Sequence, residues 1–103
     1  TEKQDIEELT DAEKRVAVAA KGLLRKYRLK TAVAEKGDDA RIHFGIIAQD
    51  LQAAFSAEGL DAGRYGMFIY EHHAEDNPSL GIKAGTHYGV RYNELLAFII
   101  AAL

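Results

Sequence analysis

The clearest structural signal in the sequence is the segment from Arg41 to Asp50, which reads RIHFGIIAQD. In its first half the side chains alternate, with Ile42, Phe44 and Ile46 on one side and Arg41, His43 and Gly45 on the other. This period of two predicts a strand over residues 41–47. From Ala48 to Glu58 the apolar residues recur at helical spacing, and Gly59 suits the left-handed position that ends a helix. The stretch therefore predicts a strand that leads directly into a helix.

The residues before this stretch predict a second strand and a first helix. Residues 28–35 also alternate, and the turn residues 36–39 would join both strands as an antiparallel hairpin. Thr10, followed three residues later by Glu13, forms a capping-box pattern that predicts a helix from this point to Tyr27. The apolar stripe of that helix consists of Val16, Ala20, Leu23, Leu24 and Tyr27. Residues 1–9 are charged and predict either a first strand or an ordered lead-in.

The second half of the chain predicts two more strands around a polar segment. Residues 66–71 are apolar on both faces, which suits a central or interfacial strand. Residues 86–91 predict a last strand, and the polar segment 72–85, with the single proline Pro78, is predicted to be a mobile loop. The predicted fold class is therefore α+β, a small antiparallel sheet with about three helices in one domain over residues 1–103.

The closing segment, residues 92–103, lacks the polar face that a surface helix of a monomer keeps. After Asn93 and Glu94 every residue is apolar. One interpretation is a helix buried entirely within its own domain, and the other is a helix shared between subunits. We favour the second, because a chain of 103 residues rarely surrounds a helix completely. The predicted contact residues are Tyr92, Leu95, Leu96, Phe98, Ile99, Ile100 and Leu103.

Composition argues against several functional classes. The chain has no cysteine, which excludes disulfides and cysteine-ligated metals. Its formal net charge of −3 argues against a nucleic-acid partner, and the basic group at residues 25–30 is interpreted as a solvated face. No apolar run approaches the ~18 residues of a membrane span, and the acidic start predicts no signal peptide. The glycines are scattered at turns, so no phosphate-binding loop and no cofactor are expected.

Two segments carry a resemblance to a known family. The run HFGIIAQD at residues 43–50 is similar to a pattern H-x-G-[FIV]-I-A-Q-[ED] followed by an apolar helix, and YGVRYNELL at residues 88–96 is similar to the start of a terminal apolar helix. Together they resemble the C-terminal intramolecular chaperone domain of phage tail fibres, tailspikes and endosialidases, the peptidase S74 family. The resemblance covers residues 9–103 and is strongest at residues 43–50.

This resemblance implies a homotrimeric assembly domain fused behind a fibre. Three chains would be brought into register, and the domain would then cut itself from the fibre at a serine of its N-terminal boundary, with a lysine as base. The family pattern is similar to S-D-x-R-x-K, and no serine precedes Lys3 in this sequence. If Lys3 is the family lysine, the serine lies before Thr1. Residues 1–9 then form the lead-in from the cleavage boundary of a released product, and an inactive variant is the alternative.

The resemblance also assigns roles to single residues. His43 is expected to support cleavage or bridge subunits, against the alternative of a structural hydrogen-bonding histidine. Gln49 is expected at the cleavage site or interface, against a helix-capping role. Lys3 is the candidate base, although its acidic neighbours favour a charged, solvated side chain. No metal site is expected from His72 and His73, because adjacent strand residues point to opposite faces.

The leading functional hypothesis is an intramolecular chaperone released by serine-type autocleavage. The runner-up is a non-cleaving trimeric cap or receptor-binding tip, with residues 72–85 as the binding surface. The expected partner is the upstream fibre or spike of the same polypeptide. The expected location is the host cytoplasm during virion assembly, followed by release from the mature fibre. A free-standing turnover enzyme is disfavoured, because no complete nucleophile–base pair is visible in the sequence.

Overall fold

The first helix begins at the predicted capping box. In the computed structural model, which describes residues 2–81 and 84–103, α1 spans Asp11–Leu23. The Thr10 hydroxyl accepts a hydrogen bond from the Glu13 amide at 3.1 Å, and the Glu13 carboxylate accepts one from the Thr10 amide at 2.7 Å. Two amides at the start of the helix are thereby satisfied. Residues 2–9 precede α1 without regular secondary structure.

The prediction that this helix continues to Tyr27 is wrong. Leu24 has an extended backbone and ends α1, and residues Arg25–Tyr27 form the strand β1. The Arg25 guanidinium donates to the carbonyl of Gly22 at 2.6 Å and to that of Leu24 at 2.9 Å. These carbonyls at the end of the helix have no partner further along it, so the arginine stabilises the exit from α1.

The predicted strand over residues 28–35, and with it the short hairpin, is also wrong. This part of the chain is the helix α2, Lys30–Lys36, followed by a 3-10 turn at Gly37–Asp39. Gly37 has φ of 59°, and its amide donates back to the carbonyl of Val33, which closes the helix. The alternation of Leu29, Thr31 and Val33 was misleading because a helix of seven residues shows too few positions to separate the two periods.

The strand β2, His43–Gly45, lies within the predicted stretch but is shorter than expected. It pairs antiparallel with β1, with Arg25 opposite Gly45 and Tyr27 opposite His43. The connection between the two strands therefore contains α2 rather than a tight turn. The helix α3, Ala48–Ala57, follows as predicted, and Gly59 has the expected left-handed φ of 73°.

A second antiparallel pair comes from the later part of the chain. A 3-10 turn at Ala62–Arg64 leads into β3, Phe68–His73, which pairs with β4, Gly85–Val90, from Phe68 opposite Val90 to His73 opposite Gly85. The segment predicted as a loop thus begins two residues later, because His72 and His73 belong to β3. It contains a 3-10 turn at Pro78–Leu80, and its residues 82 and 83 lie outside the described part of the chain.

The core lies between α1, α3 and the last helix, α4, Tyr92–Ala101. The described residues thus form four helices and two small antiparallel sheets, which confirms the α+β class. The buried side chains of this core are Val16, Ala17, Ala20, Leu51, Phe55, Ala62, Met67, Phe68, Leu95, Phe98 and Ile99. No helix in the described ranges has both the length and the apolar character needed to cross a bilayer.

The folded chain exposes more surface than its mass requires. Its accessible surface is 8033 Å², whereas a compact monomer of this mass exposes about 5,700 Å². Its radius of gyration is 16.5 Å, against about 13 Å for a compact domain of this length. A single copy therefore exposes more surface to water than a compact monomer of the same mass.

Candidate functional site

The site is built where β2 passes into α3 and meets the first residue of α4. The Tyr92 hydroxyl accepts a hydrogen bond from the Ile46 amide at 3.1 Å and lies 3.4 Å from the Ile46 carbonyl oxygen, to which it can donate. A Cβ atom on Gly45 would stand 2.6 Å from the same hydroxyl oxygen and 3.3 Å from the Tyr27 ring. Glycine at this position therefore lets the tyrosine reach the backbone of the strand.

An open pocket of about 380 Å³ lies beside this contact. Its walls are mostly apolar, and two charged groups, Arg25 and Asp50, stand among them. The lining residues are Leu23, Arg25, Tyr27, Gly45, Ile46, Ile47, Asp50 and Tyr92. The sequence prediction missed Arg25 and Tyr27 here because it placed both in or beside a long helix. The aromatic residue between two basic neighbours is the sequence signal that could have indicated a strand.

His43 is an exposed residue of β2. Its ring stacks on that of Tyr27 with the centroids 5.6 Å apart and the planes at 28°. The two residues are direct partners in the β1–β2 ladder, so the stack follows from the register. The position of the His43 ring therefore follows from its pairing with Tyr27 in the sheet.

Gln49 and Lys3 lie in other places. Gln49 is an exposed residue of the first turn of α3 and lines a second open pocket of about 520 Å³. The other walls of this pocket are Ile46, Ala48, Thr86, His87, Tyr88, Gly89, Val90 and Tyr92, so neither His43 nor Lys3 lines it. Lys3 belongs to the exposed segment before α1.

The start of α4 is fixed to the second sheet by Arg91. Its amide donates to the Met67 carbonyl at 2.7 Å, and its guanidinium donates to the Gly66 carbonyl at 2.6 Å. A Cβ atom on Gly66 would stand 2.8 Å from a carboxylate oxygen of Glu94, so the chain passes very close to the first turn of α4. Arg91 and Tyr92 thus connect α4 to both sheets of the protomer.

Glu13 joins the N-terminal helix to the loop before β3. Its carboxylate accepts a hydrogen bond from the Tyr65 hydroxyl at 2.7 Å, in addition to that from the Thr10 amide. The Thr10 amide, followed by the Tyr65 hydroxyl, lowers the pKa of Glu13 from its ordinary value of 4.5. Burial, followed by the bond to Glu13, raises the pKa of Tyr65 above its ordinary value of 10.0.

The helix α4 divides its apolar side chains between two faces. Leu95, Phe98 and Ile99 are buried in the core of their own protomer. Leu96, Ile100 and Leu103 are exposed to 47%, 67% and 78% on the other side. Of the predicted intersubunit residues, Tyr92, Leu96, Ile100 and Leu103 are exposed in a single copy, while the other three pack in its core. The contact between subunits stays a prediction.

The hairpin of β3 and β4 carries most of the histidines. The His72 ring lies 3.1 Å from the Thr86 hydroxyl, and the His73 ring lies 3.5 Å from the Glu71 carboxylate. Within residues 2–81 and 84–103, no three histidine or acidic side chains are placed to hold a metal ion.

Comparisons with known proteins show which family this chain resembles in sequence and in fold. The family model of peptidase S74, the chaperone of endosialidase, matches residues 1–60. A probable tail spike protein of Klebsiella phage 0507-KN2-1 is 40% identical in an alignment 124 residues long. The alignment covers 96% of this chain and 10% of the phage protein. The tail spike protein of Escherichia virus K5 is 47% identical over 72 residues, which cover 62% of this chain and 11% of that protein. The chain thus spans about a tenth of the length of these relatives.

Two solved structures share the fold over 97% of this chain. One, described as a novel intramolecular chaperone, has a TM-score of 0.71 and 34% identity, and 89% of it is covered. The other contains the carboxy-terminal domain of the bacteriophage T5 L-shaped tail fibre with its intramolecular chaperone domain, and has a TM-score of 0.74 and 25% identity with 26% covered. The chain is therefore an intramolecular chaperone domain and belongs to the peptidase S74 family, the chaperone of endosialidase.

Proposed function

We propose that this domain forms a homotrimer and thereby drives the folding of a phage tail fibre or tail spike to which it is attached. The main support for this proposal is the exposed apolar stripe of α4, because Leu96, Ile100 and Leu103 are exposed to solvent in a single copy. The surface of 8033 Å² supports it, since the excess over a compact monomer is of the size that stable interfaces bury. The tail spike relatives support the identity of the attached protein.

The mechanism of such a chaperone is association. When three domains meet, the three attached chains are held at a high effective concentration and in a common register. A fibre rich in β structure depends on contacts between distant residues, and these are slow to form by random search. Because the free energy of trimer formation holds the three chains together and in register, most of that random search is no longer needed.

We further propose that the domain is released by autocleavage at a serine that precedes Lys3 in the intact polypeptide. Lys3 would act as the base, and His43 and Gln49 would support the cleavage site from a neighbouring copy. The peptidase family to which the chain belongs supports this role. Assembly and cleavage would take place in the host cytoplasm, and the mature fibre would leave without the domain.

The test expresses the parent spike with this domain, without it, and with the boundary serine replaced by alanine. We expect the intact gene to give soluble trimeric spike and two bands on a denaturing gel. The serine variant should give one uncut band and a folded spike, and the truncated gene should give insoluble chains. A soluble, trimeric spike from the truncated gene would contradict the chaperone role. A single uncut band from the intact gene would contradict autocleavage and favour a permanent cap.

A further inference from the structure

Two charged segments of this chain have no role in the contact proposed for the exposed face of α4. Residues 2–8 contain four acidic residues and one lysine, and residues 25–30 contain four basic residues and no acidic one. The acidic segment has no regular secondary structure and is exposed throughout. It also presents one aliphatic side chain, Ile6, which is 79% exposed.

The basic segment borders an apolar surface on the β1–β2 sheet. Lys26 is opposite Phe44 in the ladder, and Phe44 is 75% exposed. Lys26 and Arg28 line an open pocket of about 280 Å³ together with Tyr27 and Ile42. We call Lys26, Arg28, Ile42 and Phe44 the basic strand surface. Arg25 is not part of it, because its guanidinium is turned onto the backbone of residues 22 and 24.

Charge and shape together favour one occupant for this surface. An extended segment with acidic residues on both sides of a single aliphatic residue matches an apolar pocket bordered by two cations, of which Arg28 also lies 3.8 Å from the Asp38 carboxylate of its own copy. Among the described residues this sheet has two strands, so each strand has an unpaired edge that can accept main-chain hydrogen bonds from an extended segment. Residues 2–8 have this composition, and docking would extend the chain at Asp5, whose φ is 54° in a single copy.

Ile6 cannot reach the basic strand surface of its own copy, because the four residues from Ile6 to Thr10 span at most about 14 Å. The acidic segment enters α1 at Thr10, whereas β1 follows the opposite end of that helix. Thirteen helical residues separate the two points, a distance of about 20 Å. We infer that residues 2–8 of one protomer dock on the basic strand surface of its neighbour, with Ile6 against Ile42 and Phe44. This inference rests on the proposed trimer and adds a second contact to that made by α4.

The consequence is a link between assembly and the start of the domain. A docked segment would place Lys3 of one copy near the sheet that carries His43 of the next. The segment, which is exposed throughout in a single copy, would be covered in the oligomer.

The test uses charge reversal on both sides of the contact. One variant carries Lys26→Glu and Arg28→Glu, a second carries Glu7→Lys and Glu8→Lys, and a third carries all four changes. Lys14→Glu with Lys21→Glu, on exposed positions of α1, is the control for the change in net charge. Circular dichroism checks that each variant is folded, and sedimentation equilibrium measures association of the isolated domain in low and high salt.

Each two-residue variant should weaken association roughly tenfold or more at low salt, and the control should not. The four-residue variant should recover association close to that of the unchanged domain. A mixture of the first two variants should associate more tightly than either alone, although a mixed trimer keeps one mismatched contact. Unaltered association of the two-residue variants, or additive weakening in the four-residue variant, would overturn the inference. A mixture no better than its parts would overturn the assignment to a neighbouring copy.

These outcomes are separate from the fate of the proposed function. If the unchanged domain is a monomer, the trimer proposal itself fails before any variant is compared. If the unchanged domain is a trimer and the reversals have no effect, only the docking of residues 2–8 fails.

Discussion

The Tyr92 hydroxyl of α4 accepts a hydrogen bond from the Ile46 backbone amide at 3.1 Å. This contact joins the two segments of sequence that carry the resemblance to the family, residues 43–50 and residues 88–96. It holds the first turn of the apolar helix against the junction of β2 and α3. The orientation of the exposed α4 face therefore depends on the strand that carries His43.

Replacement of Tyr92 by phenylalanine should destabilise the domain. The Ile46 amide would lose its acceptor while the ring remains in place, which costs about 1 kcal/mol. For a domain of this size, thermal denaturation should show a decrease in Tm of about 4–8 °C. Tyr70→Phe is the matched control, because that side chain is exposed on the hairpin. An equal effect of the two substitutions would mean that the Tyr92 bond contributes nothing specific.

Replacement of Gly45 by alanine should be more damaging than its small size suggests. The new methyl group would stand 2.6 Å from the Tyr92 hydroxyl oxygen and 3.3 Å from the Tyr27 ring. Overpacking of this kind costs about 1–3 kcal/mol. Gly22→Ala is the opposite control, because nothing lies within 4 Å of the added carbon in α1, and helix propensity should stabilise it by up to about 1 kcal/mol.

The same pair of residues allows a double-mutant cycle in urea unfolding. Gly45→Ala should cost less in a Tyr92→Phe background, since the clashing oxygen is then absent. Strict additivity of the two changes would show that the clash does not involve this hydroxyl.

The acid side of the stability profile should depend on Glu13. Its folded-state pKa is lowered, so its contribution is present above the ordinary value of 4.5 and is lost as pH falls through the folded pKa. Glu13→Gln keeps an oxygen acceptor at this helix position but removes the titration. The difference in unfolding free energy between the two proteins should shrink from about pH 7 to about pH 3. A difference that is constant over this range would refute the role of the charge.

Substitution of the exposed α4 face should dissociate the oligomer without unfolding the protomer. Leu96→Glu with Ile100→Glu introduces charge at positions that contribute nothing to the core of a single copy. We expect native circular dichroism and a monomer in size-exclusion chromatography. Ser56→Glu, on the exposed side of α3, should leave the oligomer intact. An unchanged elution volume for the α4 variant would remove this face from the interface.

The sequence predicted those elements whose signals are local. The capping box of Thr10 and Glu13, the left-handed Gly59, and the two last strands with the helix after them all appear in the structure. The strand β1 was missed because its three residues are too few to show a period. The contact of Gly45 with Tyr92 joins residues 47 positions apart, and no spacing rule predicts which tyrosine packs on which glycine.

The candidate site shows the same limit. The resemblance named His43 and Gln49. The β1–β2 register shows that His43 stacks on Tyr27, and the packing of α3 beside β4 places Gln49 at a different pocket. The apolar character of the last helix was evident in the sequence. Its division into a buried face and an exposed face required the positions of α1 and α3, which periodicity alone does not give.

The proposed association of three copies of this domain can be measured as the solution mass of the isolated domain. Sedimentation equilibrium at tens of micromolar should give three times the chain mass of 11.3 kDa. The Leu96→Glu and Ile100→Glu variant, measured in the same buffer, should give the mass of one chain. A mass of one chain for the unchanged domain would contradict the account.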